Sequence, residues 1–343
     1  MGFYDGTKLL SMKDINGKTP EIYMATTNRT GGKTTYFGRW VVNRWLKHGE
    51  EFGLIYRFKY ELEDISAKFF NDIKGLFFEE HDMSSKIIEK GLASELRIDD
   101  KVCGYALALN SADAIKKQSH RFSKIERLLF DEFQSETNTY CDDEVKKFRS
   151  IHTSIARGQG KQVRYVPVIM ISNPVTILNP YYISMGISTR LTDEVNFLRG
   201  DGFVLEQGYN ESACVAQKES GFNRAFGNDD YGMYSSEGVY LNDNKTFIER
   251  PDGKSRYIAT LKYKGGFFAI REYADCGLIY CDDKPDLTFP FKITITTDDH
   301  QINYVMLKNN DLFLMKMRYY FEHGCFRFKD LRCKEALLTS LSY

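Results

Sequence analysis

No CxxC pair occurs among the seven cysteines (Cys103, Cys141, Cys214, Cys276, Cys281, Cys325 and Cys333), and their number is odd. That argues against a disulfide framework and against a structural zinc site, and fits reduced thiols inside a cell. No stretch approaches the roughly 18 consecutive apolar residues of a membrane helix. Residues 1–12 are mixed polar and lack the apolar core of a secretory signal, so a soluble intracellular protein with no membrane contact is expected. An excess of charge of either sign is missing too, because 47 basic residues balance 47 acidic ones. A surface that coats nucleic acid along its whole extent is disfavoured, while a local basic lining remains compatible. Internal repeats and low-complexity segments are absent.

What is present is enough apolar material for real cores. Apolar residues make up 42% of 343, with 25 Phe and 22 Tyr. Single cores stop growing near roughly 250–300 residues, so two domains are expected.

The first half alternates strands and helices. Residues 21–26 predict a short strand that ends in a polar, Gly-containing turn. Residues 33–47 follow with Phe37, Trp40, Val41, Val42, Trp45 and Leu46 at helical spacing, and Gly49 stands where a helix stop belongs. Strands are expected at 52–57, 92–98, 101–109 and 125–130, and helices at 61–73 and 144–157. The apolar run 166–172 reads as a strand buried on both faces, with Pro167 tolerated near its start. This alternation predicts a mostly parallel sheet covered by helices. Composition shifts after about residue 179. Residues 208–244 are rich in Gly, Ser, Asn and Asp and read as a linker or small subdomain. Beyond Phe247, strands at 256–263, 267–273, 277–282 and 291–297 and a helix at 311–322 predict an α+β second domain, with a hairpin turn at Lys264-Gly265-Gly266. The expected division is 1–205, 206–244 and 245–343.

Four segments carry chemistry. The first is Thr27-Asn28-Arg29-Thr30-Gly31-Gly32-Lys33-Thr34, between a strand and a helix. Its end matches the phosphate-binding pattern GxxxxGK[ST], although Thr27 replaces the first Gly. Backbone N–H groups of such a loop cradle phosphates. Lys33 would reach the β- and γ-phosphates of ATP, and the Thr34 hydroxyl would ligate Mg²⁺. Arg29, Thr30, Gly31, Gly32 and Thr35 complete the candidate nucleotide contacts. Alone, a Gly turn capping a helix explains this loop about as well.

The second segment is Leu128-Leu129-Phe130-Asp131-Glu132-Phe133, a buried strand that delivers two carboxylates at the sheet edge where ligands bind. Asp131 would hold Mg²⁺, and Glu132 would polarise the attacking water. The alternative is a strand ending in a solvated acidic turn. The third is Ser172-Asn173-Pro174 at the end of the next buried strand, where Asn173 could sense phosphate or orient water; the alternative is an Asn-Pro turn. The fourth is Arg157, at a helix end before a Gly-rich loop, from which it could reach a neighbouring subunit's nucleotide. A dipole-complementing helix terminus explains it equally well.

In this order the segments resemble the φ29-type phage DNA-packaging ATPases. Val42-Asn43-Arg44, Gly49-Glu50, residues 56–62, Phe130-Asp131-Glu132-Phe133, Ile171-Ser172-Asn173-Pro174, Asn179-Pro180-Tyr181, Thr296-Thr297-Asp298-Asp299 and Phe326-Arg327-Phe328 are similar to that family, across most of the chain. The resemblance implies an additional-strand ATPase domain followed by an RNase H-like, nuclease-like domain without cleavage activity. It implies a homopentameric ring that drives double-stranded DNA through the portal vertex of a capsid, in the host cytoplasm, and leaves open an RNA adaptor. Arg57 and Lys59, after the second strand, take the place of basic residues near the nucleotide or the neighbouring subunit. The segment 134–138 carries no Lys or Arg, so Lys116, Lys117 and Arg121 become the candidates for DNA contact, against a solvated basic loop as the plainer explanation. Two rivals share parts of this pattern. One is a helicase-like ring ATPase without a capsid. The other is a nuclease acting through Asp275, Asp282, Asp283, Asp298 and Asp299.

Overall fold

The computed structural model describes residues 3–63, 66–137, 139–157, 160, 162–177, 179–188, 190–191, 196–208, 210–226 and 247–341. The chain divides into two compact units, Met1–Asn242 and Asp243–Tyr343.

In the first unit the elements run α1 (Thr7–Ser11), β1 (Ile22–Thr26), α2 (Lys33–His48), β2 (Glu51–Tyr56), α3 (Asn71–Phe77), β3 (Met83–Ile88), β4 (Ala93–Ile98), β5 (Lys101–Ala108), α4 (Ala112–Lys117), β6 (Ile125–Asp131), α5 (Glu144–Ala156), β7 (Val168–Ser172), α6 (Pro180–Ser184), β8 (Phe197–Gly200), β9 (Phe203–Gln207), α7 (Glu211–Glu219) and α8 (Gly221–Phe226). Nine strands form one sheet in the order β3-β4-β5-β2-β6-β7-β1-β9-β8. The pairs from β5 through β9 are all parallel, and antiparallel strands close both edges. Strand β7 lies between β1 and β6, which is the inserted strand of an additional-strand ATPase sheet. Parallel strands buried on both faces need apolar residues at every position, and β7 is buried throughout. Successive side chains serve opposite layers. Tyr23, Ala25, Ile169 and Ile171 pack beneath α2 with Phe37 and Val41. Met24, Val168 and Met170 pack on the other face with Phe148, Tyr181 and Tyr182.

Three local expectations change. The helix expected over 61–73 is replaced by a 3₁₀ turn, Lys59–Leu62, and a π turn, Ser66–Phe70, that leads into α3. Phe69 and Phe70 are neighbours in sequence and both are buried; the wider π turn lets consecutive aromatics face inward, with Phe69 packing on Phe52 at 6.0 Å between ring centroids. Strands β8 and β9 have no counterpart among those expected, and neither does β3. Strand β3 is an edge strand whose outer residues are exposed, so it lacks the apolar run that marks a buried strand. The first unit also runs past residue 205. Strand β9 pairs with β1 through Gln207, and α7 and α8 follow. The rest of the expected linker, 227–244, and residue 209 lie outside the described residues.

The second unit has strands β10 (Arg256–Tyr263), β11 (Gly266–Tyr273), β12 (Leu278–Asp282), β13 (Lys292–Thr294), β14 (Val305–Met306) and β15 (Phe326–Phe328), with helices Asp311–Glu322 and Leu331–Thr339. The sheet order is β14-β13-β10-β11-β12-β15. An antiparallel meander of three strands continues into two parallel ones beside its first strand. This is the 3-2-1-4-5 arrangement of an RNase H-like sheet, extended here by β15 alongside β12. The turn between β10 and β11 uses Lys264 (φ 47°) and Gly265 (φ 73°). Two left-handed residues match the twist of a tight hairpin, and the Asp299 carboxylate accepts both of their N–H groups, at 2.7 and 2.8 Å.

Candidate nucleotide site

Because β1, β6 and β7 are parallel and in register, their C-terminal ends meet on one edge. Thr26 pairs with Ser172, and Asp131 with Ile171. The loop after β1 therefore faces Asp131-Glu132 and Ser172-Asn173. Gly32, with φ 90°, turns the chain from this loop into α2. The cavity at this edge encloses about 810 Å³. Its walls include the polar Lys33, Thr34, Asp131, Glu132, Ser172 and Asn173, together with Phe3, Tyr36, Arg39 and Phe77.

Lys33 is buried. Its Nζ donates to the Thr27 carbonyl at 3.0 Å, Thr27 Oγ1 at 2.8 Å, the Asn28 carbonyl at 3.3 Å and Asn173 Oδ1 at 3.3 Å. Burial pulls its ammonium down to about 8, opposed by the charge of Asp131. Thr27 thus serves the lysine where a Gly would offer only backbone. Its methyl group fits because Gly208 stands opposite; a Cβ there would meet Thr27 Cγ2 at 2.7 Å.

Loss of water around Asp131 pushes its carboxyl up to about 6, while the Thr34 hydroxyl hydrogen-bonds to it and favours the charged form. A carboxylate short of solvent, joined to a Thr hydroxyl, suits a hard divalent cation with oxygen ligands. The Glu132 N–H donates to Asp131 Oδ1 at 2.8 Å, and Glu132 holds φ 53°. A left-handed non-glycine residue is held at a local cost by its surroundings. Here Arg57 supplies the hold. Its Nη2 donates to the carbonyls of Glu132 at 3.3 Å and Phe133 at 2.9 Å, and its Nε binds the Glu144 carboxylate at 2.9 and 3.1 Å.

The structure gathers Arg29, Thr30, Gly31, Gly32, Lys33, Thr34, Thr35, Asp131, Glu132 and Asn173 around one cavity. Arg57 and Lys59 do not line that cavity. Arg57 lines the two pockets beside it, one with Thr34, Asp131 and Glu132 and the other with Arg29, Glu132 and Asn173, and its guanidinium pairs with the buried Glu144; Lys59 packs over Gly91, where a Cβ would meet its Cε at 2.6 Å. Arg157 is exposed at the end of α5 and lines a separate groove with Lys116, Lys146 and Arg149. Lys117 is exposed, and Arg121 pairs with Glu89 at 2.7 Å.

Several neighbours of the phosphate loop carried no sequence signal. Tyr4 N–H donates to the Gly31 carbonyl at 2.8 Å. Gln217 of α7 donates to Thr30 Oγ1 at 3.1 Å, and Asn28 and Asn210 exchange two hydrogen bonds at 2.9 and 3.0 Å. Glu136 pairs with Arg29. A sequence shows only local pattern, and these pairings are long-range.

Three of the second unit's candidate acids already have partners. Asp282 binds Arg271 at 2.7 Å, Asp283 pairs with Lys329, Asp299 caps the hairpin turn, and Asp275 and Asp298 are exposed. Among the described residues no group of three or more His, Cys, Asp or Glu is placed to hold a metal ion.

A family model for the Podovirus DNA encapsidation protein (Gp16) matches residues 2–340. The DNA packaging protein of Bacillus phage phi29 is 26% identical over 332 residues, spanning 96% of this chain and 93% of that protein. The DNA packaging protein of Bacillus phage B103 is 24% identical over 318 residues, spanning 91% and 92%. Among solved structures, the bacteriophage Phi-29 viral genome packaging motor assembly is similar with a TM-score of 0.67 at 24% identity, over 99% of this chain and 100% of that one. The Phi-28 gp11 DNA packaging motor is similar with 0.59 at 16%, over 99% and 96%. Those two likenesses establish the shared fold, and the family match over nearly the whole length establishes that this chain belongs to the Podovirus DNA encapsidation protein family.

Proposed function

We propose that the chain is the ATP-driven motor subunit that moves double-stranded viral DNA into a preformed capsid. The observation that carries this reading is the convergence of Lys33, Thr34, Asp131, Glu132 and Asn173 on one sheet edge, with β7 inserted between β1 and β6. In this reading the loop amides and Lys33 hold the triphosphate. Lys33 is already desolvated, so its charge acts on phosphate at low dielectric. Thr34 and Asp131 would hold Mg²⁺, which would supply positive charge against the phosphate oxygens. Glu132, oriented by its left-handed backbone and by Arg57, accepts the proton of the attacking water. Asn173 orients that water or the terminal phosphate.

Arg157 lies outside this cavity and is exposed. That placement supports action on a neighbouring subunit's nucleotide, and with it a homo-oligomeric ring, taken as a pentamer at the portal vertex. Arginines in that role are worth about 10³–10⁵ in rate. Lys116 shares the groove with Arg157, so DNA contact through Lys116 and contact with the neighbour compete for one surface. An RNA adaptor and transient docking on the procapsid in the host cytoplasm complete the reading; no helix among the described residues is long and apolar enough to cross a membrane.

The test is DNA uptake into purified empty capsids, read as DNA protected from added nuclease. Lys33→Ala should abolish protection and lower ATP hydrolysis at least about a thousandfold, because it removes the buried charge at the phosphates. Protection at the parent level would overturn the reading, and uptake or translocation without a capsid would favour the helicase-like rival.

A further inference from the structure

Arg29 belongs to the phosphate-binding loop, yet its Nη2 is bonded to a carboxylate, that of Glu136. The same Glu136 oxygen lies 3.5 Å from Nδ2 of Asn173. One acidic side chain therefore engages two groups that the nucleotide reading assigns to phosphate. Arg29 also stands on the wall between two spaces. It lines the nucleotide cavity and a neighbouring pocket of about 320 Å³ whose walls include Glu132, Gln134 and Glu136.

The chain before Glu136 is anchored. Arg57 holds the Phe133 carbonyl, and buried Gln134 accepts the N–H groups of Val175 and Thr176 at 3.1 and 3.0 Å. Beyond Gln134 the segment turns on its own hydroxyls, with Thr139 N–H donating to Ser135 Oγ at 3.0 Å and Thr137 Oγ1 to Thr139 Oγ1 at 3.0 Å. Glu136 is thus mounted on a small surface turn next to a fixed point. The side chains of Arg29 and Glu136 are each about one-third exposed, 33% and 34%, so their pairing is not locked by burial.

We propose that Glu136 is a positioning residue for Arg29: it holds the guanidinium in the absence of nucleotide, and an arriving triphosphate displaces it. The proposal rests on the nucleotide reading of the cavity. A guanidinium binds carboxylate and phosphate through the same planar fork. A triphosphate brings several negative charges where Glu136 brings one, so it wins Arg29 and repels the carboxylate. Occupancy of the site then moves the turn that carries Glu136, which has no basic residue with which to hold DNA itself. The turn becomes the part of the surface that registers whether the cavity is filled.

The full-length protein is titrated with Mg²⁺ and a non-hydrolysable ATP analogue, and KM and kcat for ATP are measured in parallel. Glu136→Ala and Glu136→Gln should each tighten the analogue about two- to fivefold and lower KM similarly, with kcat changed less than about 1.5-fold. Damage to folding would move these the other way. The gain should disappear on an Arg29→Ala background. Unchanged or weaker binding in both Glu136 variants overturns the proposal. An equal gain with and without Arg29 also overturns it, since Glu136 would then act on phosphate directly. Lys33→Ala separates the two layers: loss of analogue binding there, with no gain at Glu136, removes the positioning role alone, whereas parent-level binding in Lys33→Ala removes the nucleotide reading beneath it.

Discussion

At the edge of the first sheet, Asp131 is pushed up to about 6 and Lys33 is pulled down to about 8, both mainly by loss of water. In the second unit Glu272 behaves in the opposite way. Hydrogen bonds from Lys316, Arg256 and Tyr320 draw its carboxyl down to about 2, although burial opposes them. Lys316 Nζ and Tyr320 Oη lie 2.7 and 3.0 Å from Glu272 Oε1. The two regions show two uses of a carboxylate. Glu272 is supplied with permanent cationic partners and fixes the helix Asp311–Glu322 to its sheet. Asp131 and Lys33 are left short of solvent where a ligand can complete them. Perturbation against the charged state, at a cavity, is the mark of a functional position.

Arg57 tests this contrast most severely, because it is a satisfied residue inside the unit that holds the site. Removing it leaves the buried Glu144, 3% exposed, without its cation, with Tyr181 Oη and the Cys141 N–H still donating to it. Arg57→Ala should destabilise the first unit by about 3–5 kcal/mol in denaturant unfolding. If Arg57 bound nucleotide instead, stability would hold and ATP affinity alone would fall.

Glu272→Gln gives a smaller effect in the other unit, about 2 kcal/mol at neutral pH, the scale of hydrogen bonds to a charged group. The pH dependence follows from the lowered folded-state value. The stabilisation is full above the unfolded carboxylate's ordinary 4.5 and is lost as pH falls from there toward about 2. The gap between parent and Glu272→Gln should therefore close through that window. A gap that stays constant from pH 7 to pH 2 would show that the charge on Glu272 contributes nothing.

The smallest expected effect concerns DNA. Replacing Lys116, Lys117 and Arg121 by Ala should weaken DNA-stimulated hydrolysis several-fold, leave basal hydrolysis unchanged and flatten the salt dependence of DNA binding. Arg121 already pairs with Glu89, so its share should be the least of the three. Survival of both the stimulation and the salt slope would move the DNA contact elsewhere.

The parts of the site that could be read from the sequence are those set by local pattern. Lys33-Thr34 opens a helix after a strand, Asp131-Glu132 ends an apolar run, and Asn173 follows another. In each case strand period and turn chemistry place the residue at the sheet edge without any knowledge of the fold. The parallel order of β2, β6, β7 and β1 then brings them together. What could not be read rests on long separations. Arg57 meets Glu144 across 87 positions, Arg29 meets Glu136 across 107, and Gln217 meets Thr30 across 187. The resemblance implies a place near the nucleotide or the neighbouring subunit for Arg57 and Lys59, and no local pattern shows that Arg57 meets the buried Glu144. The π turn at Ser66–Phe70 was hidden for a similar reason, since only the packed core shows that Phe69 and Phe70 both point inward.

The central claim is that the edge formed by β1, β6 and β7 hydrolyses ATP with Glu132 acting on water and Lys33 on phosphate. Glu132→Gln keeps the shape of the side chain and removes its basicity. The direct measurement is ATP binding and single-turnover hydrolysis by this variant in the same preparation. The account predicts binding within about threefold of the parent and a hydrolysis rate lowered by at least about 10². Near-parent turnover in Glu132→Gln would contradict it.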